Sequence, residues 1–268
     1  CGEVKATRGA KHDYLGVNFD FFEKGKVKID QISHVEDMVD NFPTKITKTA
    51  EDAATPDLFQ VGDGDPPNKE DAEAFHNAVT KGLYAAKQAR PNMQQVIAVL
   101  CTRVQAPNKK DWKKLVHLLQ FLNRTHKDKL TLSAENLSVI KWYVDAAFAV
   151  HPDFKSHTGG TMSYGRGCPI TISRKQKLNT KSSTEAELVG ADDVSVMTLW
   201  TKYFMEAQGY PIDKNILYQD NKATILLEEN GKKSSGKRTR ALNIRYFFLT
   251  DQIEKGNLSV IYCPTLEM

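Results

Sequence analysis

Hydrophobic positions along the chain change period several times, and each change marks an element. Tyr14-Leu-Gly-Val-Asn-Phe-Asp-Phe-Phe22 and Val27-Lys-Ile29 alternate about Gly25, which predicts a β-hairpin, although no sheet follows nearby for it to join. Ile32, Val35, Met38 and Phe42 recur at helical spacing until Pro43 stops them. Residues 44–68, with Val61-Gly-Asp-Gly-Asp-Pro-Pro67, have the Gly and Pro density of a linker. Asp63 and Asp65 in this stretch lack the Gly placement and distal Glu of a calcium loop. Three helical patterns then predict a small bundle: Phe75, Val79 and Leu83; Met93, Val96, Ile97, Leu100 and Val104 after Pro91; and Trp112, Leu115, Val116, Leu119 and Leu122. Gly82 inside the first should cost about 1 kcal/mol relative to Ala. Lys109, Lys110, Lys113 and Lys114 read as a solvated face of the last.

The texture changes from Leu130. The run 137–150 reads as a strand buried on both faces, 161–164 and 170–173 as short strands about Gly165-Arg-Gly167, and 184–208 as a long helix. The apolar face expected for that helix comprises Val189, Val196, Trp200, Tyr203, Phe204 and Ala207, with Gly209 and Pro211 as its stop. A strand at 216–219, a helix at 221–229, a basic loop, a helix at 242–254 carrying Leu242, Tyr246, Leu249 and Ile253 on one side, and a strand at 258–263 complete the pattern. Strands first in a hairpin run and then interleaved with helices imply an α/β fold with a mixed sheet covered by helices.

A chain of 268 residues that is 40% hydrophobic can bury a sizeable core, and its length suits two domains. The net charge of +4 fits a polyanionic partner without demanding one. Cys1, Cys101, Cys168 and Cys263 show neither zinc-ligand spacing nor a disulfide framework, so a reducing, intracellular setting is expected. No apolar run approaches the roughly 18 residues of a membrane span, and no signal peptide opens the chain. Beginning at Cys1 without Met and stopping at Met268, the sequence is expected to be a fragment of something longer.

Candidate chemistry sits on three acids. Asp145, within Lys141-Trp-Tyr-Val-Asp-Ala-Ala-Phe148, places a carboxylate in an apolar strand, where it should cost several kcal/mol unless a cation compensates it. Glu187 opens the long helix and Asp220 ends a later strand; the first could complete a capping box in Thr184-Glu-Ala-Glu187, and the second could be an ordinary N-cap. Read together, the three supply the hard oxygen ligands that two Mg²⁺ (or Mn²⁺) ions about 3.5 to 4 Å apart require.

The run 141–160, Ser173-Arg-Lys-Gln-Lys177 leading into Ser182-Ser-Thr-Glu-Ala-Glu-Leu188, and Tyr218-Gln-Asp-Asn-Lys-Ala-Thr-Ile225 resemble the ribonuclease H domain of copia-type LTR retrotransposon Pol polyproteins. Upstream, His12-Asp-Tyr-Leu-Gly16 resembles the primer-grip hairpin of reverse transcriptase, and residues 75–93 resemble the region joining polymerase and nuclease. The resemblance implies a primer-grip-like hairpin over 1–30, a helical thumb- or connection-like region over 31–130, and a ribonuclease H-like domain over 131–268, truncated before its last helix. It assigns Asp145, Glu187 and Asp220 as catalytic metal ligands for in-line hydrolysis of the RNA strand of an RNA/DNA hybrid, leaving a 5′ phosphate. It passes over Glu185, because the family's ligand is the Glu followed directly by an apolar residue. Arg174, Lys175, Lys177, Lys181, Lys232, Lys233, Lys237, Arg238 and Arg240 become candidate nucleic-acid contacts. The implied partners are the hybrid and the missing polymerase portion of the same polyprotein, with no membrane.

Departures from the family pattern are specific. The polymerase's paired-aspartate hairpin is missing, and Asp192-Asp193 falls inside the long helix pattern as a solvated face. Ala241 stands where the family usually has His, Leu266 replaces a commonly acidic residue, and Glu267 lies too close to the last strand to serve as the family's fourth carboxylate. The alternative is therefore a catalytically inactive remnant that still binds nucleic acid.

Overall fold

A computed structural model describes residues 6–62, 66–231 and 243–268. The fold is α/β with two sheets, and the chain divides into two compact units, Cys1–Leu58 with Gly62–Ala134, and Phe59–Val61 with Glu135–Met268.

In the first unit β1 (Lys11–Tyr14), β2 (Val17–Asp20) and β3 (Lys26–Asp30) form an antiparallel meander. The hairpin expected about Gly25 is present, and a second turn at Leu15 and Gly16, with φ of 53° and 74°, splits its first arm. The sheet missing locally is supplied by β4 (Leu130–Ala134), which returns to pair with β3 only after the described α-helices of the unit. These are α1 (Ile32–Asp40), α2 (Lys69–Gln88), α3 (Gln94–Cys101) and α4 (Lys109–Thr125). Phe75, Val79, Met93, Ile97, Leu100, Leu115, Leu119 and Leu122 are buried as their spacing predicts, whereas Leu83 is exposed. Lys114 also departs from expectation. It is buried beside Asp111, whose carboxylate closes a capping box with Asn108 and accepts a hydrogen bond from Arg103 Nε at 2.9 Å.

Gly82 lies where α2 and α3 approach closely. A Cβ there would stand 2.4 Å from Ile97 Cδ1 and 3.4 Å from Met93 Cε, both side chains being fully buried. Overpacking of this kind costs about 1–3 kcal/mol, more than the ~1 kcal/mol that helix propensity returns. Gly82→Ala is therefore expected to lower the urea midpoint of the protein, contrary to the propensity argument taken alone.

The second unit is built on five strands: β5 (Val139–Ala147), β6 (His157–Ser163), β8 (Ile170–Lys175), β9 (Lys214–Gln219) and β10 (Ser259–Tyr262), with the two-residue β7 (Gly165–Arg166) between β6 and β8. Their order is β10-β9-β5-β6-β8. β9 runs parallel to β5 and β10 parallel to β9, while β6 is antiparallel to both β5 and β8. This is the mixed sheet flanked by helices that the pattern of elements predicts. The helices are α5 (Ser183–Ala207), α6 (Lys222–Asn230) and α7 (Asn243–Glu254). Among the described residues no helix is long and apolar enough to cross a membrane.

Two expectations fail here. β5 is not buried on both faces: Ile140, Trp142, Val144 and Ala146 enter the core, while Asp145 is exposed on the alternate face. The desolvation argument for Asp145 falls with that alternation. The expected apolar face of α5 is also largely its outer face. Trp200 is 50% exposed, Val196, Tyr203 and Phe204 are exposed too, and Trp200 stacks on Phe204 with ring centroids 5.0 Å apart. The buried side is made of Ala186, Leu188, Val189, Gly190, Ala191, Val194, Ser195, Thr198, Leu199 and Thr201. Small residues permit close approach to the sheet: a Cβ on Gly160 would meet Val194 Cγ2 at 2.8 Å, and one on Gly190 would meet Ala146 Cβ at 3.4 Å.

Candidate metal centre

The parallel ladder between β5 and β9 ends with Tyr143 opposite Tyr218, whose rings stack at 5.0 Å. Asp145 and Asp220 each follow two residues beyond that last pair, so strand periodicity puts both on the same side of the sheet where the ladder stops. Glu187 arrives from α5 on the covered face. Close packing at Gly190, one turn further along α5, lets its carboxylate reach β5, where Oε1 accepts from Ala146 N at 3.2 Å. One carboxylate oxygen from each of Asp145, Glu187 and Asp220 lies within 4.8 Å of the other two.

The capping alternatives go to neighbouring residues. Ser182 is the N-cap of α5 and accepts from Glu185 N, while Glu185 Oε2 accepts from Lys181 N at 2.7 Å. Asn221 is the N-cap of α6, accepting from the amides of Ala223 and Thr224. Glu187 and Asp220 are therefore free of helix-end duty. Asp220 Oδ2 instead accepts from the Thr265 hydroxyl at 2.6 Å, and Glu267, in the terminal 3₁₀ turn Thr265–Glu267, is not in the cluster.

Electrostatics set the three acids apart. Glu187 is only 6% exposed, and burial, then the negative charge of Asp145, push its carboxyl up to about 8. Hydrogen bonds from Ala146 N and from Gln219 Nε2, the latter to Oε2 at 3.2 Å, pull in the opposite direction. Glu228 of α6 is fully buried with neither carboxylate oxygen hydrogen-bonded among the described residues. Burial foremost, and the charge of Glu187 next, hold its carboxyl well above the usual carboxylate range. Sequence reasoning passed over both Gln219 and Glu228. Gln219 directly precedes Asp220, and Glu228 follows Thr224 and Ile225 at helical spacing onto the same buried face, which is the only signal that could have found them.

The basic candidates divide. Arg174 is held by Asp193 through an ion pair at 2.7 Å, and Asp193 also accepts from the Thr158 hydroxyl, so it is not the solvated residue expected. Lys175 pairs with Asp153 at 2.8 Å. Lys177 and Lys181 are exposed in the segment leading into α5. Lys232, Lys233, Lys237, Arg238 and Arg240, with Ala241, Leu242, Asp63 and Asp65, lie outside the described residues.

No family model matches the chain. The retrovirus-related Pol polyprotein from transposon TNT 1-94 of Nicotiana tabacum is 27% identical over 194 residues, covering 72% of this chain and 14% of that relative. The corresponding polyprotein from transposon RE2 of Arabidopsis thaliana is 27% identical over 178 residues, covering 66% of this chain and 12% of that relative. Among solved structures, LC11-RNase H1 isolated from compost by a metagenomic approach aligns with 11% identity and a TM-score of 0.36, covering 48% of this chain and 86% of that one. The chain thus spans only a small part of the polyproteins it matches, and over that part it is similar to copia-type retrovirus-related Pol polyproteins.

Proposed function

We propose that the second unit is a ribonuclease H-type endonuclease that hydrolyses the RNA strand of RNA/DNA hybrids, with Asp145, Glu187 and Asp220 as ligands for two Mg²⁺ or Mn²⁺ ions. The observation that carries the reading is the convergence of three carboxylates from β5, α5 and the end of β9, none of them employed as a helix cap. An all-oxygen donor set suits these hard cations. Oxygens that all lie within 4.8 Å of one another are close enough to share such ions. When bound, such ions lower the pKa of an attacking water and stabilise the charge on the departing 3′ oxygen.

The chain's own part is placement. Glu187, held on both oxygens by Ala146 N and Gln219 Nε2, presents a fixed carboxylate from the buried side. Asp145 and Asp220 present theirs just past the end of the β5–β9 ladder, where a phosphate can approach. Of the basic candidates that are described, Lys177 and Lys181 are exposed and can meet a nucleic-acid backbone, whereas Arg174 and Lys175 must first give up their partners. Substrate choice would rest on duplex shape and the 2′-OH rather than on base sequence. The polymerase portion of a longer polyprotein is the natural partner in this reading.

The test is incubation with an RNA/DNA hybrid labelled on the RNA strand, alongside the same sequence as duplex DNA, in Mg²⁺ and in chelator. Mg²⁺-dependent cleavage of the hybrid alone is expected. Salt-sensitive binding of the hybrid without cleavage would replace the nuclease reading by that of an inactive binding module.

A further inference from the structure

We propose that Gln219 is the positioning residue of the carboxylate cluster, its side-chain amide holding Glu187 in the orientation that accepts a cation; this rests on the reading above that the cluster binds divalent ions. Gln219 ends β9, is fully buried, and is anchored through its own carbonyl, which accepts from Cys263 N at 2.9 Å. Its Nε2 donates to Glu187 Oε2 at 3.2 Å, while Ala146 N donates to Oε1 at the same distance. The carboxylate is thereby gripped on both oxygens from two adjacent strands.

Chemistry fixes the sense of that amide. Turned over, Gln219 Oε1 would face the ionised Glu187 carboxylate acceptor against acceptor, so the Nε2-inward orientation is the one that suits Glu187 in the ionised form a cation takes. In the observed orientation Oε1 is buried without a hydrogen-bond partner among the described residues, a cost of about 1–3 kcal/mol that an apolar side chain of the same length would avoid. A buried residue kept at such a cost beside a cluster of acids points to a role in the cluster. Charge supplies the reason for an amide. Lys or Arg at this position would hold Glu187 equally well but would cancel negative charge and compete with the cation. An amide orients the ligand and leaves all three charges available.

The experiment is a Mn²⁺ titration followed by electron paramagnetic resonance, with the parent, Gln219→Met and Gln219→Leu, each with its melting temperature measured in chelator. Both substitutions remove the donor and keep the site apolar. About a tenfold or greater weakening of Mn²⁺ binding is expected, the range seen when groups that orient metal ligands are removed. The chelator melting temperature is expected to hold or rise, since the unpartnered oxygen is removed as well. A residue serving packing alone would show the reverse, a lower melting temperature with unchanged Mn²⁺ affinity, and that result overturns the inference. If Gln219→Met folds too poorly to titrate, Gln219→Leu decides by the same criterion. A parent that binds no Mn²⁺ overturns the cluster reading and this inference together, whereas a parent that binds and variants that bind equally overturn this inference alone.

Discussion

Asp145→Asn is expected to reduce cleavage of the RNA strand by about a thousandfold or more, equivalent to ~4 kcal/mol of transition-state stabilisation, while leaving the protein better folded in the absence of divalent ions. The two halves of that outcome have one cause. Asp145 is exposed near the end of the central strand β5, so Asn fits its place without disturbing the core residues Val144 and Ala146 on either side. What changes is charge. Asn is a poorer ligand for a hard cation, and its neutrality also removes the negative charge that, after burial, does most to push the Glu187 carboxyl up. Without metal the wild-type cluster is repulsive, and relieving it stabilises the fold. Single-turnover cleavage of a labelled hybrid and urea unfolding in chelator measure the two effects. A variant that is inactive because it is unfolded would show lower stability, which is the opposite sign.

A second large effect lies in the pH dependence of stability. Glu187 ionises near 4.5 in the unfolded chain and near 8 in the folded one. Below pH 4.5 it is protonated in both states and contributes nothing. Between 4.5 and 8 the unfolded state releases a proton that the folded state keeps, so stability falls by about 1.4 kcal/mol per pH unit, and above 8 the loss levels off. Summed over the window, one group of this kind is worth on the order of 5 kcal/mol. Glu228, raised by burial and then by Glu187, acts in the same direction and carries the decline further. Carboxylates held low by their partners, such as Asp30 beside Lys129 and Asn18, stabilise above their unfolded pKa and are lost only toward more acid pH, outside this window. Urea denaturation in chelator from pH 5 to 9 is therefore expected to show a steady loss for the parent and a distinctly shallower one for Glu187→Gln. Adding Mn²⁺ should lift the parent most at the alkaline end, where binding takes the ionised form the fold otherwise disfavours. A parent curve flat from pH 5 to 8 in chelator would refute the assignment of Glu187 as a strained buried acid.

Much of the architecture is legible from periodicity alone. The spacing of Phe75 and Val79, of Ile97 and Leu100, and of Leu115, Leu119 and Leu122 marks core-facing helices, and these residues are buried. Periodicity misled on α5 because it ranks faces by hydrophobicity. That helix turns small residues such as Ala186, Gly190 and Ala191 inward, where close approach to the sheet matters more than apolar area, and leaves Trp200 and Phe204 stacked on each other outside. It misled on β5 as well. The apolar and aromatic residues around Asp145 read as a doubly buried strand, but alternate positions of the strand meet different surroundings, and the odd ones are more open.

The sequence by itself determined the α/β class, the order of elements in the second unit and the three acids that share a site. Each acid sits at a fixed register relative to a strand end or helix start, and local pattern encodes register. Only the tertiary structure decided which acids are caps and which are free, because Ser182 with Glu185 and Asn221 compete for the same amides as Glu187 and Asp220, and the outcome depends on hydrogen-bond geometry. It alone gave Glu187 its buried, raised carboxyl and its grip from Ala146 and Gln219, residues far from it in sequence. Desolvation and orientation arise from atoms brought together across the sheet, and no local pattern of residues records them.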